Sequence, residues 1–257
     1  MMTQQRGKAE TMEKMALTIA RVMDNLSNPS KAQSLLVDSD MKQTDTKTKL
    51  DTIYCETCRE EWTIPSRGGL FDRYAGECSE CAREKRETAF NAICPPLYQR
   101  TDKARLPQDQ LKIAMSWQYG PRGLILLGDT GKGKTRVAWA LLKRILVDDN
   151  KGMRLTWFDS IGFGHEIAKH YRTEDAESWL GRLAKAPLVF FDDLGKLKLT
   201  ERAEVELFGL IERRCAAELP IIVTTNDTGD SLAARMTDNR GPALIRRLRE
   251  FCEPIQF

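Results

Sequence analysis

A chain of 257 residues, 41% hydrophobic and 30% charged, has room for one sizeable globular domain and a small accessory module. A formal net charge of +3 is too small to argue for a nucleic-acid partner on charge alone. No apolar run reaches the roughly 18 residues that a membrane helix needs. No apolar stretch with a small-residue cleavage site opens the chain, so a cytoplasmic protein with no membrane contact is expected.

Residues 1–50 are polar and rich in Lys, Thr, Gln, Ser and Asp. Within them Met15, Ile19, Val22, Met23 and Leu26 recur at helical spacing until Asn28-Pro29 stops the pattern. Such a stripe fits a surface helix on a polar tail, and it fits equally well a helix that docks on a partner.

Residues 51–93 carry Cys55-x-x-Cys58 and Cys78-x-x-Cys81, separated by 19 residues. Two tight turns, each offering two thiolates, complete a tetrahedron with no open position, so Cys55, Cys58, Cys78 and Cys81 are read as ligands of a structural zinc ion. A catalytic zinc would need a vacant position, and the only histidines, His165 and His170, are far along the chain. Redox C-x-x-C motifs do not come in pairs at this spacing. A turn at Ser66-Arg67-Gly68-Gly69 and a helix over 82–93 point to a zinc ribbon or a treble-clef knuckle. Trp62, Phe71, Tyr74, Arg67 and Arg73 could stack on and neutralise single-stranded DNA. Six Lys/Arg against nine Asp/Glu over residues 51–90, with four thiolates added, favour a protein as the partner of this module. Cys94, Cys215 and Cys252 read as reduced thiols, and Cys94-Pro95-Pro96 breaks the helix and opens a connector to about residue 120.

From Gly123 the rhythm changes to short apolar runs alternating with longer helical segments. Strands are expected at 123–127, 155–158, 188–191, 221–225 and 255–257. Helices are expected over 134–147, in two segments up to about 185, over 200–217, and up to about 249. Strands buried on both faces and separated by helices predict an α/β fold with a parallel sheet, in a domain from 94 to 257.

Gly128-Asp129-Thr130-Gly131-Lys132-Gly133-Lys134-Thr135 fits G-x-x-x-x-G-K-[ST], between a strand and an amphipathic helix. Glycines at 128, 131 and 133 let backbone N–H groups turn inward around a phosphate, and the helix N-terminus adds its dipole. Lys134 is placed to reach the β and γ phosphates of ATP, and Thr135 to ligate magnesium. Leu188-Val189-Phe190-Phe191 leads to Asp192, placed to hold the magnesium ion, and to Asp193, placed to polarise the attacking water. The strand Ile221–Thr225 ends at Asn226, whose amide would orient water at the γ-phosphate if the strand lies beside the P-loop strand. The other reading of Asn226 is a turn residue before Asp227.

These motifs, with Ile211-Glu212-Arg213-Arg214 running into Leu219-Pro220-Ile221-Ile222 and the terminal block Leu244-Ile245-Arg246-Arg247-Leu248-Arg249-Glu250, resemble the DnaC/IstB family of AAA+ helicase loaders and transposition helpers, over residues 95–257. The resemblance implies an AAA+ ATPase that loads a replicative DNA helicase onto single-stranded DNA and self-associates into a ring or spiral, or alternatively an IstB-like transposition helper. A zinc module ahead of the ATPase fits phage-type loaders better. The resemblance also implies that an arginine of the terminal block enters a neighbouring subunit's site; by position that is Arg247, although helical geometry points Arg246 most directly away from the apolar side. Two features depart from the general AAA+ pattern: Asp193 stands where Glu is usual, and no C-terminal lid is expected after Arg249. Weak, switch-like hydrolysis, stimulated by DNA or a partner, is therefore expected. The segment around 161–185 occupies the place of an initiator-type insertion, where Lys169, His170 and Arg172 could meet phosphates.

Overall fold

A computed structural model of the chain describes residues 50–65, 77–149, 153–196, 198–237 and 240–257. The apolar stripe from Met15 to Leu26, the turn at 66–69, and Phe71, Arg73 and Tyr74 lie outside the described residues. Two compact units are present, Met1–Thr52 with Thr63–Arg73, and Ile53–Trp62 with Tyr74–Phe257. The first is described only at 50–52 and 63–65. Strands β1 (Leu50–Tyr54) and β2 (Glu61–Pro65) form a two-stranded sheet.

In the second unit, β3 (Gly123–Leu127), β4 (Leu155–Asp159), β5 (Leu188–Asp192), β6 (Ile221–Thr225) and β7 (Cys252–Gln256) make one sheet in the order β4-β5-β6-β3-β7. Every neighbouring pair is parallel. Successive side chains of a strand face opposite sides, so each central strand feeds two cores. Leu124, Leu126, Leu188, Phe190 and Ile222 join one; Val189, Phe191, Ile221 and Val223 join the other. Aliphatic and aromatic runs buried on both faces explain why β5 and β6 show no polar alternation.

Helix α1 (Ser79–Ile93) begins at its N-cap Cys78 and buries only Cys81 and Phe90 of its own residues. A short α2 (Pro96–Gln99), a 3₁₀ turn (Lys103–Arg105) and α3 (Gln108–Ser116) follow. Helix α4 (Lys134–Lys143) leaves β3 and carries Val137, Leu141 and Leu142 into the first core. It runs into a π turn, Arg144–Asp148. Trp139 of α4 is the hub of that core, edge-on to Phe90 (centroids 5.9 Å), Trp157 (5.3 Å) and Phe190 (5.5 Å), and stacked on Tyr98 (6.3 Å). Arg86 of α1 donates to the carbonyl of Val147 at 3.0 Å, and Glu87 pairs with Lys143, so α1 is fastened along the end of α4.

The opposite face is covered by α5 (Ser160–Arg172), α6 (Ala176–Ala184), α7 (Glu201–Ala216) and α9 (Arg240–Phe251), with α8 (Gly229–Ala234) beside α9. The fully buried Arg214 of α7 donates to the carbonyls of Leu183 (3.1 Å), Ala186 (2.7 Å) and Pro220 (2.6 Å). It ties α6, α7 and the entry to β6 together. Among the described residues, no helix is long and apolar enough to cross a membrane.

Candidate functional site

Strand β3 reverses sharply at Gly128, whose φ of 136° is closed to most side chains, and a Cβ there would overlap the carbonyl of Phe257. The chain re-enters helix at Gly133, with φ of 92°, so the free first-turn amides of α4 face the loop. Asp129, Thr130, Gly131 and Lys132 are exposed on its crest. Lys134 is 4% exposed and donates to the carbonyls of Gly128 and Asp129, both at 2.8 Å. Burial lowers its pKa, and the carboxylates of Asp193, Asp129 and Asp192 oppose that shift.

Asp192 closes β5, two strands away from β3. Its Oδ1 accepts from Thr135 Oγ1 at 2.8 Å and from Thr224 Oγ1 at 2.6 Å. Burial raises its pKa against those two hydrogen bonds. Asp193 follows in a left-handed turn (φ 52°), its amide donating to Thr224 Oγ1 at 2.8 Å, its carbonyl accepting from Ser160 Oγ at 2.7 Å, and its Oδ2 lying 3.1 Å from Lys196 Nζ. Strand β6 lies between β3 and β5, with Leu127 opposite Thr225, so the exposed Asn226 emerges beside Gly128. The structure thus brings Lys134, Thr135, Asp192, Asp193 and Asn226 to one end of the sheet.

Arg247 and Arg246 stand elsewhere, on α9. Arg247 is held by Glu212 and by Glu250 (3.0 Å), whereas Arg246 is exposed. Around α5 and α6, His170 stacks on Trp179 at 4.7 Å and bonds Asp175 at 2.7 Å, and Lys169 pairs with Glu166 at 3.2 Å. Those partners are acidic and local, so His170 serves packing in this arrangement.

Two features escape sequence reading. Thr224-Thr225-Asn226 is a recognisable block at the end of its strand, but the contact of Thr224 with Asp192 depends on the β5–β6 register. The connector forms the wall of a cavity of about 730 Å³ beside the P-loop, lined by Arg100, Thr101, Leu106, Pro107, Lys132 and Arg136. Its size suits a nucleoside.

The four cysteines form a separate cluster, with all sulfurs within 4.8 Å of one another. Cys58 Sγ lies 3.6 Å from Cys78 Sγ, close to the roughly 3.8 Å edge of a tetrahedron with zinc–sulfur bonds of about 2.3 Å. Amides of Thr57 and Cys78 donate to Cys55 Sγ, each at 3.4 Å, and the Cys81 amide donates to Cys78 Sγ at 3.4 Å. The Cys78 and Cys58 amides hold the Cys55 thiol down at about 6, while burial and the neighbouring sulfurs push Cys81 up. Donor set, spacing and N–H···S support all fit a tetrahedral zinc ion.

A parallel sheet in this strand order, with a P-loop leaving β3 and paired acids leaving β5, defines a P-loop nucleotide-binding protein of the AAA+ type. Residues 98–257 match the family described as IstB-like ATP binding protein, and the chain belongs to that family. Among solved structures, the chain is similar to the DnaC helicase loader (21% identical, 68% of this chain and 99% of that one, TM-score 0.50). It is also similar to DnaI (17%, 64% and 94%, TM-score 0.52) and to AMPPCP-bound DnaA from Aquifex aeolicus (17%, 64% and 51%, TM-score 0.52). At these identities the likeness is one of fold. A curated relative is the replication factor C large subunit of Archaeoglobus fulgidus, 28% identical over 154 residues; the match takes in 57% of this chain but only 29% of that protein.

Proposed function

We propose that the chain binds ATP with magnesium, hydrolyses it slowly, and uses that cycle to load a replicative DNA helicase onto single-stranded DNA. The observation that carries the ATPase reading is the convergence of Lys134, Thr135 and Asp192 behind a glycine-lined loop. Lys134 exchanges the carbonyls of Gly128 and Asp129 for the β and γ oxygens, while the loop amides hold the phosphates. Thr135 and Asp192 hold the magnesium ion, which neutralises charge on the phosphates. Asp193 takes the proton from the attacking water as the bond from γ-phosphorus to the leaving oxygen of ADP breaks, and Asn226 orients that water. Asp193 must first leave Lys196, and its side chain is one methylene shorter than Glu, which supports slow turnover. The connector cavity takes the nucleoside.

Cys55, Cys58, Cys78 and Cys81 hold one structural zinc ion. Residues 1–93 recruit the helicase, and residues 94–257 self-associate into a ring or spiral on DNA. Arg246, exposed, or Arg247, once released from Glu212 and Glu250, reaches the neighbour's γ-phosphate. Coverage of nearly all of the DnaC loader structure supports this reading. The match over 98–257 favours a second one, a transposition helper that would act with a transposase.

Lys134→Ala should weaken ATP binding by about ten- to a hundredfold, as expected for lost charge-assisted contacts, measured with a fluorescent ATP analogue. Unchanged binding and hydrolysis would remove the ATPase reading. ATP-dependent deposition of a hexameric helicase on single-stranded DNA is the expected outcome for the full chain; capture of a transposase without helicase loading would select the second reading.

A further inference from the structure

Thr224 stands at the centre of the nucleotide site without facing the nucleotide. Its side chain is fully buried, and its hydroxyl makes two bonds of opposite sense. A carboxylate can only accept, so the hydroxyl proton goes to Asp192 Oδ1 at 2.6 Å, leaving the oxygen to accept the Asp193 amide at 2.8 Å. Strand β6 also holds the rest of the turn. The Leu194 amide donates to the Thr224 carbonyl at 2.8 Å, and Thr225 Oγ1 donates to the Leu194 carbonyl at 2.6 Å. Asp193 is a non-glycine residue at φ 52°, a conformation that persists only where its surroundings impose it. Because β6 pairs with both β3 and β5, Thr224 also references Asp192 to the strand that leads into the P-loop.

We propose that Thr224 is a positioning residue for nucleotide hydrolysis: its hydroxyl aims Asp192 at the magnesium position and fixes the turn that presents Asp193. The proposal rests on the ATPase reading above. Thr135 of α4 donates to the same oxygen of Asp192, but its own hydroxyl is the one placed to meet magnesium, so Thr224 is the partner that serves Asp192 and its turn alone. Valine would keep the shape and the β-branch of the strand. It would leave the Asp193 amide without a partner and remove one bond to Asp192.

The test uses the full chain, a fluorescent ATP analogue with and without magnesium, and steady-state turnover. In Thr224→Val, binding without magnesium should match wild type. The tightening produced by magnesium should shrink, and turnover should fall by about ten- to a hundredfold, the size of a lost hydrogen bond to a charged group. Thr224→Ser should restore both. Wild-type magnesium response and turnover in Thr224→Val, or no recovery in Thr224→Ser, would show that the side chain only fills the core. If Thr224→Val melts below the assay temperature, Thr224→Ala against Thr224→Ser carries the same comparison with the same outcomes. A wild-type chain that binds no ATP defeats the ATPase reading instead, a separate and recognisable failure.

Discussion

The nucleotide site and the cysteine cluster are organised in opposite ways. Around the P-loop the groups nearest the phosphate and magnesium positions already have protein partners: Lys134 rests on two carbonyls, and Thr135, Asp192 and Thr224 share one carboxylate oxygen. Its geometry comes from the sheet. In the cluster four sulfurs face one another, and thiolates so close together repel unless a cation lies among them. Its geometry suits the zinc ion proposed above. A site that must release its ligand at each turnover is built on strands, whereas a site that keeps its ligand lets the ligand help build it.

The largest expected effect lies on the cluster side. Cys78→Ser removes a zinc ligand and also the sulfur that caps α1, and metal binding of this kind is worth about 10–16 kcal/mol to a small module. Metal analysis should fall from about one zinc per chain to none, with residues 51–65 becoming protease-sensitive while ATP binding survives. Loss of both together would mean that the two regions are one cooperative unit. Next comes Phe90→Ala, which removes the ring that α1 places against Trp139; such core truncations cost about 3–5 kcal/mol. Urea denaturation should register that loss, while ATP affinity of the folded chain stays within about threefold because the altered contact is remote from the phosphates.

How much of this was legible in the sequence follows from the same contrast. The cluster is written in four residues of one type at fixed spacing, and the P-loop in eight consecutive residues, so both can be read locally. The strands β3, β5 and β6 announce themselves as apolar runs that end in Gly128, Asp192 and Asn226. What depends on register cannot be read locally, and Thr224 is the clear case. The connector is opaque for another reason: Pro95, Pro96 and Pro107 suppress periodicity, yet its side chains form a cavity wall. On α9 the helical repeat pointed Arg246 outward and it is exposed, but the acids that hold Arg247 include Glu212, from another helix.

Two smaller effects sharpen the contrast. Burial raises the native pKa of Asp192, so the folded chain holds that proton more tightly than the unfolded one. The associated stability is complete in acid and is lost as pH rises through the raised native value. Asp192→Asn should therefore melt a few degrees above wild type at neutral pH, with the two curves converging towards about pH 4, while hydrolysis is lost. A lower melting temperature would show that the carboxylate is needed for folding. The smallest effect concerns Glu87, whose pKa Lys143 lowers. Its contribution is present above the ordinary carboxylate value and lost as pH falls through the lowered one. Both partners are partly exposed, so Glu87→Gln should cost under about 1 kcal/mol at neutral pH and nothing in strong acid, by calorimetry across pH. A larger cost would make the bond between α1 and α4 a principal link between the two regions.

The meeting of Phe257 with the P-loop has a practical side. The Phe257 amide donates to the Leu127 carbonyl at 2.8 Å, and its own carbonyl abuts Gly128. Any peptide joined after residue 257 therefore starts its path beside the phosphate loop. An affinity tag or fluorescent fusion attached there would start beside the loop it was meant to report on, and would disturb any measurement of nucleotide exchange.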